Sequence, residues 1–163
     1  MNFFRHRPRR TLGLPALALL LAVSGCSSAD DTAHAAVPTP DSKVTGLCQN
    51  LHKRLPEKVD GHERNDPSPR SELTAGWGDP AIILRCGVQR PALMDDPKTL
   101  PVQVNGVDWA YSKRADGSQV LTTALRLAYV EVTLPKSLAA EGAGPLVDFA
   151  EPIKKAIPEG IAN

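Results

Sequence analysis

The chain holds 163 residues with 19 basic and 18 acidic side chains, which makes one folded domain the expectation and excludes two large ones. Four arginines and no acid lie in the first 25 residues, leaving 15 basic against 18 acidic residues from Cys26 onward, about −3. A nucleic-acid partner is excluded, because it would need a clustered surplus of Lys and Arg.

The N-terminus reads as an address. Arg5, Arg7, Arg9 and Arg10 form a positive stretch, and Leu12–Val23 is an apolar run ending at Ser24-Gly25-Cys26. A bilayer core of roughly 30 Å needs about 20 apolar residues, so this run is too short for a permanent span and fits a signal peptide. Val23-Ser24-Gly25-Cys26 resembles a bacterial lipobox. That resemblance implies lipidation of Cys26 and cleavage before it, making residues 1–25 a lipoprotein signal peptide. Arg9-Arg10 also resembles a twin-arginine export signal, and export by the general or the twin-arginine route stays open. The expected location is the extracytoplasmic face of the cell membrane, with the lipid as anchor. Ser27–Lys43, small and polar with Pro38 and Pro40, reads with Cys26 as a flexible tether of residues 26–43, and His34 as a solvated residue within it.

Residues 44–163 are left for one folded domain. Val44, Leu47, Cys48, Leu51 and Leu55 recur at helical spacing, with Ser42 as N-cap and Pro56 as the stop. Glu57–Gly76 is polar and broken by prolines, a long loop, with Asp60-Gly61 as a turn inside it. Ala81–Val88 alternates as a strand, with Ile82, Leu84, Cys86 and Val88 on one face and Ile83 and Arg85 on the other. After the irregular Arg90–Pro101 come strand signals at Val102–Val104, at Val107 to Tyr111, at Gln119–Thr123 and at Leu127–Leu134. Asn105-Gly106 and Asp116-Gly117 mark the turns between them. Leu146, Phe149, Ile153 and Ile157 give a C-terminal helix, which Pro145 suits at its start and Pro152 should kink or break. The fold class expected is α+β, a mainly antiparallel sheet of four to five strands between an N-terminal and a C-terminal helix.

Cys48 lies on the helix stripe and Cys86 on the apolar face of the strand. With Cys26 acylated in an oxidising compartment, these two are left to pair as one disulfide. Two cysteines 38 apart without a C-x-x-C partner give no metal site, and no cofactor signature is present.

Trp77-Gly78-Asp79-Pro80, Leu84-Arg85-Cys86-Gly87-Val88 with Arg90-Pro91, Val107-Asp108-Trp109, and Tyr129-Val130-Glu131-Val132 with Pro135 form an ordered series. Behind the lipobox, this series resembles an actinobacterial family of secreted lipoproteins classed as a domain of unknown function. The match runs across most of Val44–Pro135, with one departure at Thr122–Arg126, where a glycine more usually precedes the arginine. The resemblance implies a membrane-anchored extracytoplasmic domain and transfers no active site.

The histidines of the folded part, His52 and His62, lack a nucleophile motif or a second metal ligand beside them. The distinctive residues are instead Trp77, Asp79, Arg85, Arg90, Asp108, Trp109, Arg126 and Glu131, at strand ends and adjoining loops where binding residues are commonly placed. The same charges also read as cross-strand ion pairs and an Asp79 turn, each worth little at a surface. The function expected is a non-catalytic binding or interaction module whose partner is an envelope protein or a cell-wall component. An assembly factor of an envelope complex and a small hydrolase are the alternatives.

Overall fold

A computed structural model describes residues 32–79, 81–139 and 142–162. The expected signal peptide and lipobox, with Cys26, lie outside them. The first helix, α1, spans Ser42–His52. Its cap is Asp41 rather than Ser42: the Asp41 carboxylate accepts from the Val44 N–H at 2.9 Å. Both residue types cap well, and the carboxylate also complements the positive end of the helix dipole. The helix stops at His52, ahead of Pro56.

What the sequence presents as a loop carries three strands. β1 (Lys58–Val59) and β2 (His62–Glu63) form a hairpin about Asp60-Gly61, both at positive φ. β3 (Thr74–Trp77) pairs antiparallel with β4 (Ile82–Cys86). A 3₁₀ turn at Ala92–Asp95 precedes the meander of β5 (Val102–Val104), β6 (Val107–Lys113), β7 (Gln119–Ala124) and β8 (Val130–Leu134). The main sheet therefore has six strands, ordered β3-β4-β8-β7-β6-β5, rather than four to five. Neighbouring strands in it run antiparallel, and the fold is α+β. The second helix, α2, spans Gly144–Ala156 with a proline in its first turn. It runs through Pro152 without the expected break.

Both helices pack on one sheet face. Cys48 of α1 and Cys86 of β4 form the expected disulfide, with Cα atoms 5.5 Å apart. Phe149 of α2 meets Trp77 of β3 at 5.0 Å between ring centroids. Ile82, Leu84, Val130, Val132 and Leu134 are buried on that same face. Burying each such aliphatic or aromatic side chain stabilises by roughly 1.5–3 kcal/mol.

The opposite face is crossed by a segment expected to be flexible. Ala35 N–H donates to Ser68 O at 3.1 Å and Ser68 N–H to Ala33 O at 2.8 Å. Arg85 Nε donates to Ala36 O at 2.8 Å. Ala35 and Pro38 are buried. From Thr32 onward, then, the stretch assigned to the tether is a strap bound to the fold. His34 is exposed, yet its backbone bridges to Ser68. Composition hides this docking, because small residues and prolines satisfy the backbone of a neighbouring loop and fill shallow contacts without a large apolar side chain.

A groove between the strap and the sheet

The strap lies against the end of β4 because Gly87 leaves space for it. Gly87 has φ +85°, and a Cβ there would stand 2.6 Å from Pro40 Cγ, so no side chain fits. Its N–H donates to Tyr129 O at 2.9 Å, which holds the end of β4 beside β8. An open groove of about 710 Å³ runs between the two walls. Val37–Asp41 and Val44 make one wall; Arg85, Gly87–Arg90, Tyr129 and Glu131 make the floor and the other.

Register places the polar floor. Arg85 on β4 and Glu131 on β8 are direct cross-strand partners. Their side chains alternate away from the helix-covered face and pair at 3.0 Å, Arg85 26% and Glu131 15% exposed. Arg114 lies 3.9 Å from the same Glu131 oxygen. At the far end Arg90 donates to Tyr129 Oη at 3.1 Å, to Asp95 Oδ1 at 3.0 Å and to Met94 O at 2.7 Å. The hydrogen bonds to Tyr129 and Asp95 push the Arg90 guanidinium further above its ordinary range, so it stays charged. Tyr129 accepts from Arg90, which leaves the phenolic hydrogen as a donor. Guanidinium, phenol and carboxylate groups with backbone edges can hold a polar, charge-bearing ligand by hydrogen bonds. Beyond Arg90 the surface continues into a more apolar hollow lined by Met94, Pro101, Ala110 and Leu125.

Of the residues singled out from sequence, Arg85, Arg90 and Glu131 meet in this groove. The others do not. Trp77 and Trp109 are fully buried, so neither ring can serve as a binding platform. Trp77 donates from Nε1 to Pro56 O at 2.9 Å, and the Arg64 guanidinium stacks 4.9 Å from its ring. Asp79 is exposed in the turn between β3 and β4. Asp108 accepts from Gln103 and lines a separate hollow with Arg126 and Glu159. Arg126 is buried and works as a clamp, donating to Ile157 O and Gly106 O at 3.1 and 3.2 Å. It therefore ties the C-terminal segment to the β5–β6 turn instead of facing a ligand. The expectation that all eight of these residues serve binding is corrected accordingly for Trp77 and Trp109, which alternation turns inward, and for Arg126.

Sequence reasoning passed over Tyr129, Gly87 and the strap. Tyr129 carried a readable signal, since it shares a strand face with Glu131. His52 and His62 lie elsewhere: His52 is half-buried at the end of α1, and His62 packs beneath Gly78. Burial, with Arg64 nearby, lowers the His52 pKa below its ordinary 6.5 against the opposing pull of Asp66 and Glu72. Among the described residues no group of three or more potential metal ligands comes together, and no helix is long and apolar enough to cross a membrane.

Residues 11–162 match the model of one family, described as Protein of unknown function (DUF3515). No curated protein and no solved structure matches the chain.

Proposed function

The chain belongs to that family of unknown function, and we propose that it is a membrane-anchored extracytoplasmic lipoprotein that captures a polar envelope component in the groove between strap and sheet. The carrying observation is the convergence of Arg85, Glu131, Tyr129 and Arg90 from two strands and a loop on one open concavity. Two of these side chains are held by partners outside the groove's centre. Arg85 is fixed by Ala36 O, and Arg90 by Asp95 and Met94 O, so the polar atoms are positioned before any ligand arrives. Preorganisation of that kind lowers the ordering cost of binding. Acylation of Cys26 would supply the hydrophobic attachment, several chains on one terminus giving the stable anchoring that one chain does not.

The test uses lipidated protein in detergent, with capture of detergent-solubilised envelope extract and of soluble cell-wall fragments as the readouts. Arg90→Ala should reduce capture at least tenfold. Its guanidinium is exposed and its ion pair with Asp95 is a surface one, so the variant should stay folded with a nearly unchanged urea midpoint. Unchanged capture by a folded Arg90→Ala and a folded Tyr129→Phe would remove the groove from consideration. Turnover of an envelope substrate dependent on His52 or His62 would replace the binding reading with a hydrolase.

A further inference from the structure

We infer that the attachment to the membrane is a short leash, which holds the Asp66–Arg70 side of the domain against the lipid surface and confines the groove's ligand to the membrane-proximal layer. The inference rests on the anchoring reading above and adds a distance and an orientation to it. Ala33 O and Ala35 N–H are both bonded to Ser68, so the chain is already fixed to the fold at Ala33. Only seven residue steps separate Cys26 from Ala33. Fully extended chain covers at most about 3.5 Å per residue, which limits that connection to roughly 25 Å. A folded body of about 130 residues has a radius of gyration near 14 Å, hence a width of roughly 36 Å. The leash is shorter than the body it holds.

Its point of attachment is off-centre. Asn65 N–H donates to Gly76 O, and a Cβ on Gly76 would stand 3.3 Å from Pro67, so the Asp66–Arg70 loop borders β3. β3 is one edge of the six-stranded sheet and β5 is the other. Five inter-strand spacings separate those edges, about 24 Å. The leash therefore keeps the β3 edge near the lipid and leaves the β5 edge able to swing away. Arg70 is exposed on that loop, and no ion pair holds it among the described residues. Lys53 and Arg54 are exposed just beyond α1, and α1 meets the chain that follows Arg70 where Gln49 donates to Glu72 at 2.9 Å. These cations favour an anionic lipid surface. The strap then leads from Thr32 to the groove wall at Val37, so that wall lies within roughly 39 Å of the acylated cysteine.

The experiment places a fluorophore at position 70 (Arg70→Cys) or position 103 (Gln103→Cys) of full-length lipidated protein in vesicles containing phosphatidylglycerol and a spin-labelled phosphatidylcholine quencher. Mass spectrometry of the N-terminal peptide reports the lipid on Cys26. The expected result is at least threefold stronger quenching at position 70 than at 103. Inserting twenty Gly/Ser residues after Asp31 should bring the two within about 1.5-fold. Equal quenching at both positions in the lipidated chain of native length overturns the leash and leaves the anchor standing. Absence of lipid on Cys26 overturns the anchoring reading, and the leash with it.

Discussion

The two faces of the six-stranded sheet are built by different rules. Beneath the helices every second residue is apolar and nearly closed to solvent, and the face is closed further by a disulfide and an aromatic pair. On the strap side the alternate positions of the same strands carry Arg85, Glu131 and Thr133, and their partners are ion pairs and backbone oxygens. The comparison teaches that strand alternation here divides labour. One face supplies stability, and the other presents polar groups already held in place, whose loss should cost the fold little.

The sharpest way to break this division is at the disulfide. Replacing Cys48 and Cys86 together by Ala should lower stability by about 4 kcal/mol on the chain-entropy model for a loop of this length. Urea unfolding would measure it. A loss under about 1 kcal/mol would mean that the helix face does not depend on its cross-link. On the strap side the effects should be smaller. Glu131→Gln should cost about 1 kcal/mol, since Arg85 keeps Ala36 O as a partner and part of its exposure. A double-mutant cycle with Arg85→Met should show coupling of the same order. A coupling several times larger would make this pair part of the structural core and erase the contrast.

The smallest effect should come from His52, near the edge of the helix-covered face. Its pKa is lowered in the folded protein by burial and by Arg64. The unfolded chain therefore binds the proton more readily, so stability is complete above about pH 6.5 and falls as pH drops through and below that value. His52→Gln should flatten this slope between pH 7 and pH 5, read as the difference between urea midpoints. An unchanged slope would assign the acid sensitivity to other groups.

Much of the helix face was legible. The i, i+3, i+4, i+7 stripe of α1 and the alternation of β4 placed Cys48 and Cys86 correctly, because burial follows periodicity where a helix covers a sheet. The β5–β8 meander was legible from Asn105-Gly106 and Asp116-Gly117, where turn chemistry fixes the connection. The β1–β2 hairpin and most of β3 were not. The hairpin strands have only two residues each, too few to show a period. In β3, Thr74, Ala75 and Gly76 offer almost no apolar contrast, yet all three are buried. The candidate site was half legible. Arg85 and Glu131 were placed on the open face by alternation. Trp77, Trp109 and Arg126 were misplaced because a distinctive residue at a strand end looks the same in sequence whether it turns outward or inward. The strap was invisible, since it is held through its own backbone by Ser68 and by the Arg85 guanidinium, about thirty and fifty residues away.

The strand order has a consequence in time as well as in space. β4 lies between β3, its neighbour in sequence, and β8, which enters more than forty residues later. Each half can begin alone: β3 and β4 as a hairpin near α1, and β5 to β8 as a meander. The Arg85–Glu131 step belongs to the seam that joins them, and closing that seam brings the longest chain loop in the sheet. Loop closure of this kind slows folding. The groove therefore cannot exist until the two halves have met, and a ligand that fills it reports completed assembly. Pulsed hydrogen exchange would show this order as later protection of the β4–β8 amides than of those between β6 and β7.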